Sequence, residues 1–111
     1  MSFHFVSRQW EVQDLQDGTL VLFTQRDLDP MNVHLLVDEL HELVLESGRP
    51  NLYLDFGQIH QMASIVIGKI LALDAKLREG GGRVVLRNLD SSLHELFEAA
   101  KVTRVLELQT R

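Results

Sequence analysis

Asn51-Leu-Tyr-Leu-Asp-Phe-Gly57, Gln58-Ile-His-Gln-Met-Ala-Ser64, residues 65–79, Gly80-Gly-Gly82 and Arg83-Val-Val-Leu-Arg87 form one continuous stretch, and its reading decides the fold. In the first piece Leu52, Leu54 and Phe56 share one face while Tyr53 and Asp55 share the other, the two-residue period of a strand. From Ser64 the spacing becomes helical. Ile67, Ile70, Leu71 and Leu77 are the expected core contacts, with Asp74, Lys76 and Arg78 expected in solvent. The three glycines stop the helix, and residues 83–86, short and β-branched, read as the next strand. A strand, a helix and a strand in succession call for a parallel pair joined by a right-handed crossover. Residues 58–64 are the hinge from strand to helix, and function is expected there.

Upstream, residues 10–15 alternate weakly through Trp10, Val12 and Leu15. Asp17-Gly18 is a turn signal, and Leu20-Val-Leu-Phe23 is an apolar run of strand length, so an antiparallel hairpin is expected. A weaker strand signal lies at residues 2–7. Asp29-Pro30 opens the first helix, because Asp caps and Pro suits a position that needs no N–H. Val33, Leu36, Val37, Leu40, Leu43 and Val44 form its apolar stripe, with Asp38, Glu39, Glu42 and Glu46 largely outside it. Gly48 and Pro50 end it.

Downstream, Asp90-Ser91-Ser92 with Glu95 resembles a capping box for a third helix over residues 92–100. Leu93, Leu96, Phe97 and Ala100 are its apolar positions, and residues 105–108 are a last strand candidate. The order ββαβαβαβ predicts an α/β fold: one domain, a mixed sheet of four to five strands, and three main helices.

The 111 residues fit one domain, and 45% apolar with 24% charged residues is a globular balance. With no cysteine, disulfides and thiolate metal sites are excluded, and a cytoplasmic location is expected. No apolar run reaches the roughly 20 residues of a membrane span, so no membrane insertion is expected. The net charge of −5 argues against nucleic acid as a partner.

Catalytic signals are sparse. His34 and His41 with Asp38 share a solvated helix face and lack a fourth ligand, so no metal is expected. Ser64 with His60 is the one tempting dyad, but no glycine elbow surrounds Ser64. Phosphate-binding loops are absent, and Gly80–Gly82 follows a helix instead of opening one. The chain is expected to be a non-enzyme that needs no cofactor.

The hinge leaves the carboxyl end of a central strand and enters a helix, where open α/β sheets place their sites and where free N–H groups favour an anion. Ser64 there is either a helix cap or a phosphoacceptor, since a phosphate is tolerated at a helix start.

These fragments, in order, resemble a STAS domain, the module of sulfate transporters and anti-sigma-factor antagonists. The resemblance covers residues 19–108. It rests on Leu28-Asp29, Leu52-Tyr-Leu-Asp55, Gln58-Ile-His-Gln-Met62, Gly68, Leu77-Arg-Glu-Gly-Gly81 with Val84-Val-Leu86, and Leu93 through Lys101-Val-Thr-Arg-Val105. The family's hinge signature, Asp-Ser-Ser-Gly, falls on Ala63, Ser64, Ile65 and Val66. The regulated second Ser of sporulation-type antagonists falls on Ile65, which cannot be phosphorylated, and Ser64 is left as the possible phosphoacceptor. The resemblance implies a regulatory module that binds a protein partner, often an anti-sigma factor kinase. The docking surface it implies is His60, Met62, Ala63, Ser64, Ile65, Val66 and Lys69, with Asp29. Two alternatives stand beside it: a STAS subunit of a transport or signalling assembly, and a module holding a small anion or nucleotide at the helix start.

Overall fold

In a computed structural model, the structure describes residues 10–28 and 36–110. The weak strand signal at residues 2–7, the Asp29-Pro30 helix opening and the docking role of Asp29 lie outside those residues. Strand β1 (Trp10–Asp14) and strand β2 (Gly18–Phe23) form the expected antiparallel hairpin, in register from Trp10↔Phe23 to Asp14↔Thr19. A two-residue strand β3 (Asp27–Leu28) follows, then helix α1 (Leu36–Ser47) and strand β4 (Asn51–Asp55). A second two-residue strand, β5 (Gln61–Met62), precedes helix α2 (Ile65–Glu79). Strand β6 (Val84–Leu89), helix α3 (Ser91–Ala99) and strand β7 (Glu107–Thr110) complete the described order. The main sheet is mixed, five strands in the order β1-β2-β4-β6-β7, and β3 pairs with β5 in a separate sheet.

From β2 onward every neighbour in the main sheet is parallel, and each crossover moves one strand further in the same direction. Right-handed crossovers that never reverse place their helices on one face. That face is where the core lies. Val12, Val21, Leu52, Leu54, Val84 and Leu86 point into it from the strands, Leu40 and Val44 from α1, Ile67, Ile70 and Leu73 from α2, and Leu93 and Phe97 from α3. An aromatic line crosses it, with ring centroids of Trp10–Phe23 6.4 Å apart, Phe23–Phe56 5.2 Å and Phe56–Phe97 6.4 Å. The separations suit edge-to-face and tilted packing.

Three local expectations change. Asp74, read as solvated, is buried at 1% exposure. It can be buried because its Oδ1 accepts the Val84 N–H at 2.9 Å and its Oδ2 accepts from Arg78 Nε at 2.7 Å. The third helix is capped by Asp90, whose Oδ1 accepts the Leu93 N–H at 2.8 Å, so the Ser92–Glu95 box is not the device used. The last strand begins two residues later than expected, because residues 102–106 turn first: the N–H groups of Val105 and Leu106 both donate to the Val102 carbonyl at 3.0 Å.

The three glycines do more than stop α2. The Gly81 N–H donates to Arg78 O and the Gly82 N–H to Leu77 O, while Gly81 adopts φ +85°, which together make a Schellman motif. Gly82 is required for a second reason: a Cβ there would lie 1.7 Å from the Pro50 carbonyl oxygen.

Candidate functional site

The hinge is not a free loop. After β4, the Asp55 carboxylate accepts the Gly57 N–H at 2.8 Å, and the Ile59 N–H donates to Phe56 O at 3.0 Å, which turns the chain. Ile59, fully buried, anchors that turn in the core. The segment then lies along β3 in parallel register, Asp27↔Gln61 and Leu28↔Met62. The His60 N–H donates to Arg26 O at 2.7 Å and the Ala63 N–H to Leu28 O at 2.8 Å. Sequence reasoning missed this sheet, since two residues are too short to show a period.

Ser64 begins α2 as the formal N-cap, but its backbone is already helical at φ −61°, ψ −25°, and its side chain makes no capping hydrogen bond. A capping serine normally takes an extended conformation and accepts from an N–H two or three residues on. Here the first turn closes through the backbone instead, with Val66 N–H to Ala63 O at 3.0 Å and Ile67 N–H to Ser64 O at 3.1 Å. The Ser64 hydroxyl is therefore exposed and uncommitted. No hydrogen bond joins it to His60, which is also exposed. The dyad geometry of a nucleophile and its base is not formed here.

The other expected site residues separate into two groups. His60 and Ile65 are exposed, and Met62, Ala63 and Lys69 are half-buried. Val66, expected on the docking surface, is wholly buried in the core, because it follows Ile65 by one residue and so points about 100° around the helix. The outer face of α2 instead runs through Ile65, Gly68, Ala72 and Ala75, all exposed and uncharged, before it ends in the exposed charges of Lys76 and Glu79. Ile65, at 52% exposure, is one of the few large apolar side chains so placed.

Beside the hinge lies a groove of about 560 Å3. Asp27 and Leu28 of β3, His60, Met62 and Ala63 of the hinge, and Ser92 and Leu96 of α3 line it. Sequence reasoning did not bring α3 to the hinge, and no local signal could have, because the contact depends on where the third crossover lands.

Comparison with known proteins agrees with this architecture. A family model described as "Mlab, STAS domain" matches residues 12–109. The Thermotoga maritima protein TM1081 superposes with a TM-score of 0.80 at 15% identity, over 96% of this chain and 85% of that one. The unphosphorylated anti-sigma factor antagonist SpoIIAA gives 0.76 at 14% identity, over 92% and 89%. An anti-sigma-factor antagonist (STAS) domain protein of Planctomyces limnophilus gives 0.76 at 12% identity, over 93% and 91%. No curated protein matches the sequence. At these identities the structural likeness carries the fold, while the family match spans nearly the whole described chain: the protein belongs to the STAS domains, in the family described as Mlab.

Proposed function

We propose that this STAS domain is a docking module with no catalytic activity of its own, and that it binds a protein partner through the hinge and the outer face of α2. The observation that carries the reading is that face. Over its first three turns Ile65, Gly68, Ala72 and Ala75 leave it exposed and uncharged, with the Ser64 hydroxyl at its start, half-buried Lys69 beside it and the exposed charges of Lys76 and Glu79 at its far end. A helix that turns a charge-free strip to water invites a partner. The docking set is His60, Met62, Ala63, Ser64, Ile65 and Lys69. The partner class is an anti-sigma factor of the kind that the similar antagonists oppose, met in the cytoplasm. Among the described residues, no helix is long and apolar enough to cross a membrane.

SpoIIAA exists in a phosphorylated form. In this chain Ser64 is the one hydroxyl in the hinge, exposed and free of a capping role. A phosphate there would set about two negative charges on the apolar strip and release the partner. A second reading has its own support: Ile65 carries no hydroxyl, so the surface also suits permanent membership of a larger assembly. Ile65→Asp tests the docking face. The wild type, used as bait in its native host, is expected to retain a partner that Ile65→Asp loses at unchanged helicity and melting temperature; equal recovery by both overturns the docking face. Intact mass after incubation with that partner and ATP then separates the two readings. Addition of one phosphate to the wild type and none to Ser64→Ala supports the switch, and no addition to either supports the permanent assembly.

A further inference from the structure

A second site lies away from the hinge, between α1 and the hairpin. A groove of about 270 Å3 runs between Trp10 of β1 and Glu39, Glu42, Leu43 and Glu46 of α1. A pocket of about 130 Å3 continues from Glu46 and Leu43 to Thr19 of β2 and Ser47. The three glutamates recur at helical spacing on one side of α1, all exposed. Like charges three and four residues apart work against the helix, so the helix itself gives no reason for them. Among the described residues, no lysine, arginine or histidine lines either cavity.

Thr19 supplies the independent sign. It is wholly buried, and its hydroxyl has no hydrogen-bond partner. A buried polar group left unpaired is costly and calls for a partner from outside the fold. It lines the pocket that Glu46 also lines.

The chemistry selects the occupant. Glu39 and Glu46 are about 10 Å apart along the helix axis at a rise of 1.5 Å per residue. Among the described residues, no group of three acidic or histidine side chains converges to hold a metal ion. A single ion therefore does not satisfy this groove, and several cationic groups spaced along a chain do. Nucleic acid and anionic lipid have the wrong sign. Leu43 and Trp10 offer apolar contact to long side-chain stems, and a guanidinium carries five donors, enough for a carboxylate and a buried hydroxyl together. We propose that this groove binds an arginine-bearing segment of a protein partner, with Glu39, Glu42 and Glu46 as its counter-charges and Thr19 as an acceptor at its inner end.

The probe is fluorescein-labelled octa-arginine, followed by anisotropy with the full chain. Saturable binding is expected. Glu42→Gln/Glu46→Gln should weaken it about tenfold or more. Glu79→Gln/Glu95→Gln, which removes the same charge elsewhere, should weaken it less than about threefold. Thr19→Val should also weaken binding while leaving helicity intact. Equal losses in the two double variants would mean that the net charge of −5 attracts the peptide unspecifically, and would overturn the proposal. So would the absence of saturable binding, an unchanged affinity in Thr19→Val, or displacement by spermidine at concentrations below those of the peptide.

Discussion

Asp74 shows what a single residue can decide. Its place in the chain, beside Lys76 and Arg78, looks like a solvated helix face. In the fold its carboxylate is buried and joins α2 to the first residue of β6 by accepting the Val84 N–H. Arg78 completes the link: its Nε donates to the Asp74 carboxylate and its Nη2 donates to the Val105 carbonyl at 2.9 Å. The helix α2, the strand β6 and the turn before β7 thus meet around this ion pair. Arg78 is half exposed, so its ion pair is weak. The backbone N–H is the part that matters, since its loss leaves a buried donor unpaired. Asp74→Ala is expected to destabilise the domain by about 2–3 kcal/mol in urea unfolding. A loss under about 0.5 kcal/mol would show that water replaces the carboxylate without cost.

At the scale of the element, α2 and α3 end in the same way with different residues. The Schellman motif closing α2 places Gly81 at φ +85°, and the one closing α3 places Lys101 at φ +61°. In the second motif the Lys101 N–H donates to Glu98 O and the Val102 N–H to Phe97 O. A side chain in the left-handed region costs about 1–2 kcal/mol, part of which glycine's greater freedom in the unfolded chain offsets. Lys101→Gly is therefore expected to stabilise by about 0.5–1 kcal/mol, read from the chemical-denaturation midpoint; a lower midpoint would show that Lys101 holds that conformation without strain. Gly68 offers a second test. A Cβ there would meet nothing within 4 Å, and the residue is exposed in the interior of α2. Gly68→Ala should stabilise the helix by about 0.5–1 kcal/mol. The added methyl also stands on the proposed docking strip, so partner affinity should fall as stability rises. A gain in stability with unchanged affinity would place the partner elsewhere.

The whole molecule is a sheet wound in one direction, and this leaves its two faces unequal. Parallel sheets are usually covered on both faces. Here the described helices pack on one, and long side chains cover the other. The Arg87 guanidinium lies 4.4 Å from the Tyr53 ring centroid, and Arg83 pairs with Glu107 at 2.9 Å. Beneath them Val85 is buried at 2% exposure. Tyr53 donates its hydroxyl proton to Asp17 Oδ2 at 2.9 Å, which ties this face to the hairpin turn. Partial burial and the Asp17 hydrogen bond together push the Tyr53 pKa above its ordinary 10.0. The folded state thus prefers the protonated phenol. Its contribution is fully present below pH 10 and is lost as pH rises through the folded-state value. Tyr53 is the one tyrosine in the chain, so tyrosinate absorbance reports it alone. The midpoint in the native protein should lie above that of the unfolded chain, and Tyr53→Phe should flatten the alkaline decline in stability; a native midpoint at or below the unfolded one would contradict the burial.

The sequence by itself determined the elements and most of their ends. The alternation of Leu52, Leu54 and Phe56, the stripe of Leu40 and Val44, the Asp17-Gly18 turn and the Gly80-Gly-Gly82 stop are local patterns, set by neighbours one to four residues away. The hinge was legible as a place for the same reason, since a strand period ends and a helical period begins there. Only the tertiary structure decided what the hinge became. The pairing of Gln61 and Met62 with Asp27 and Leu28, the arrival of Ser92 and Leu96 beside His60, and the inward turn of Val66 and Asp74 each join residues without a shared local period. Strand order, too, was a tertiary decision. The hydrophobic pattern shows which residues face a core, but not which strand lies beside which, because every strand buries its apolar side equally well until the crossovers fix its neighbours.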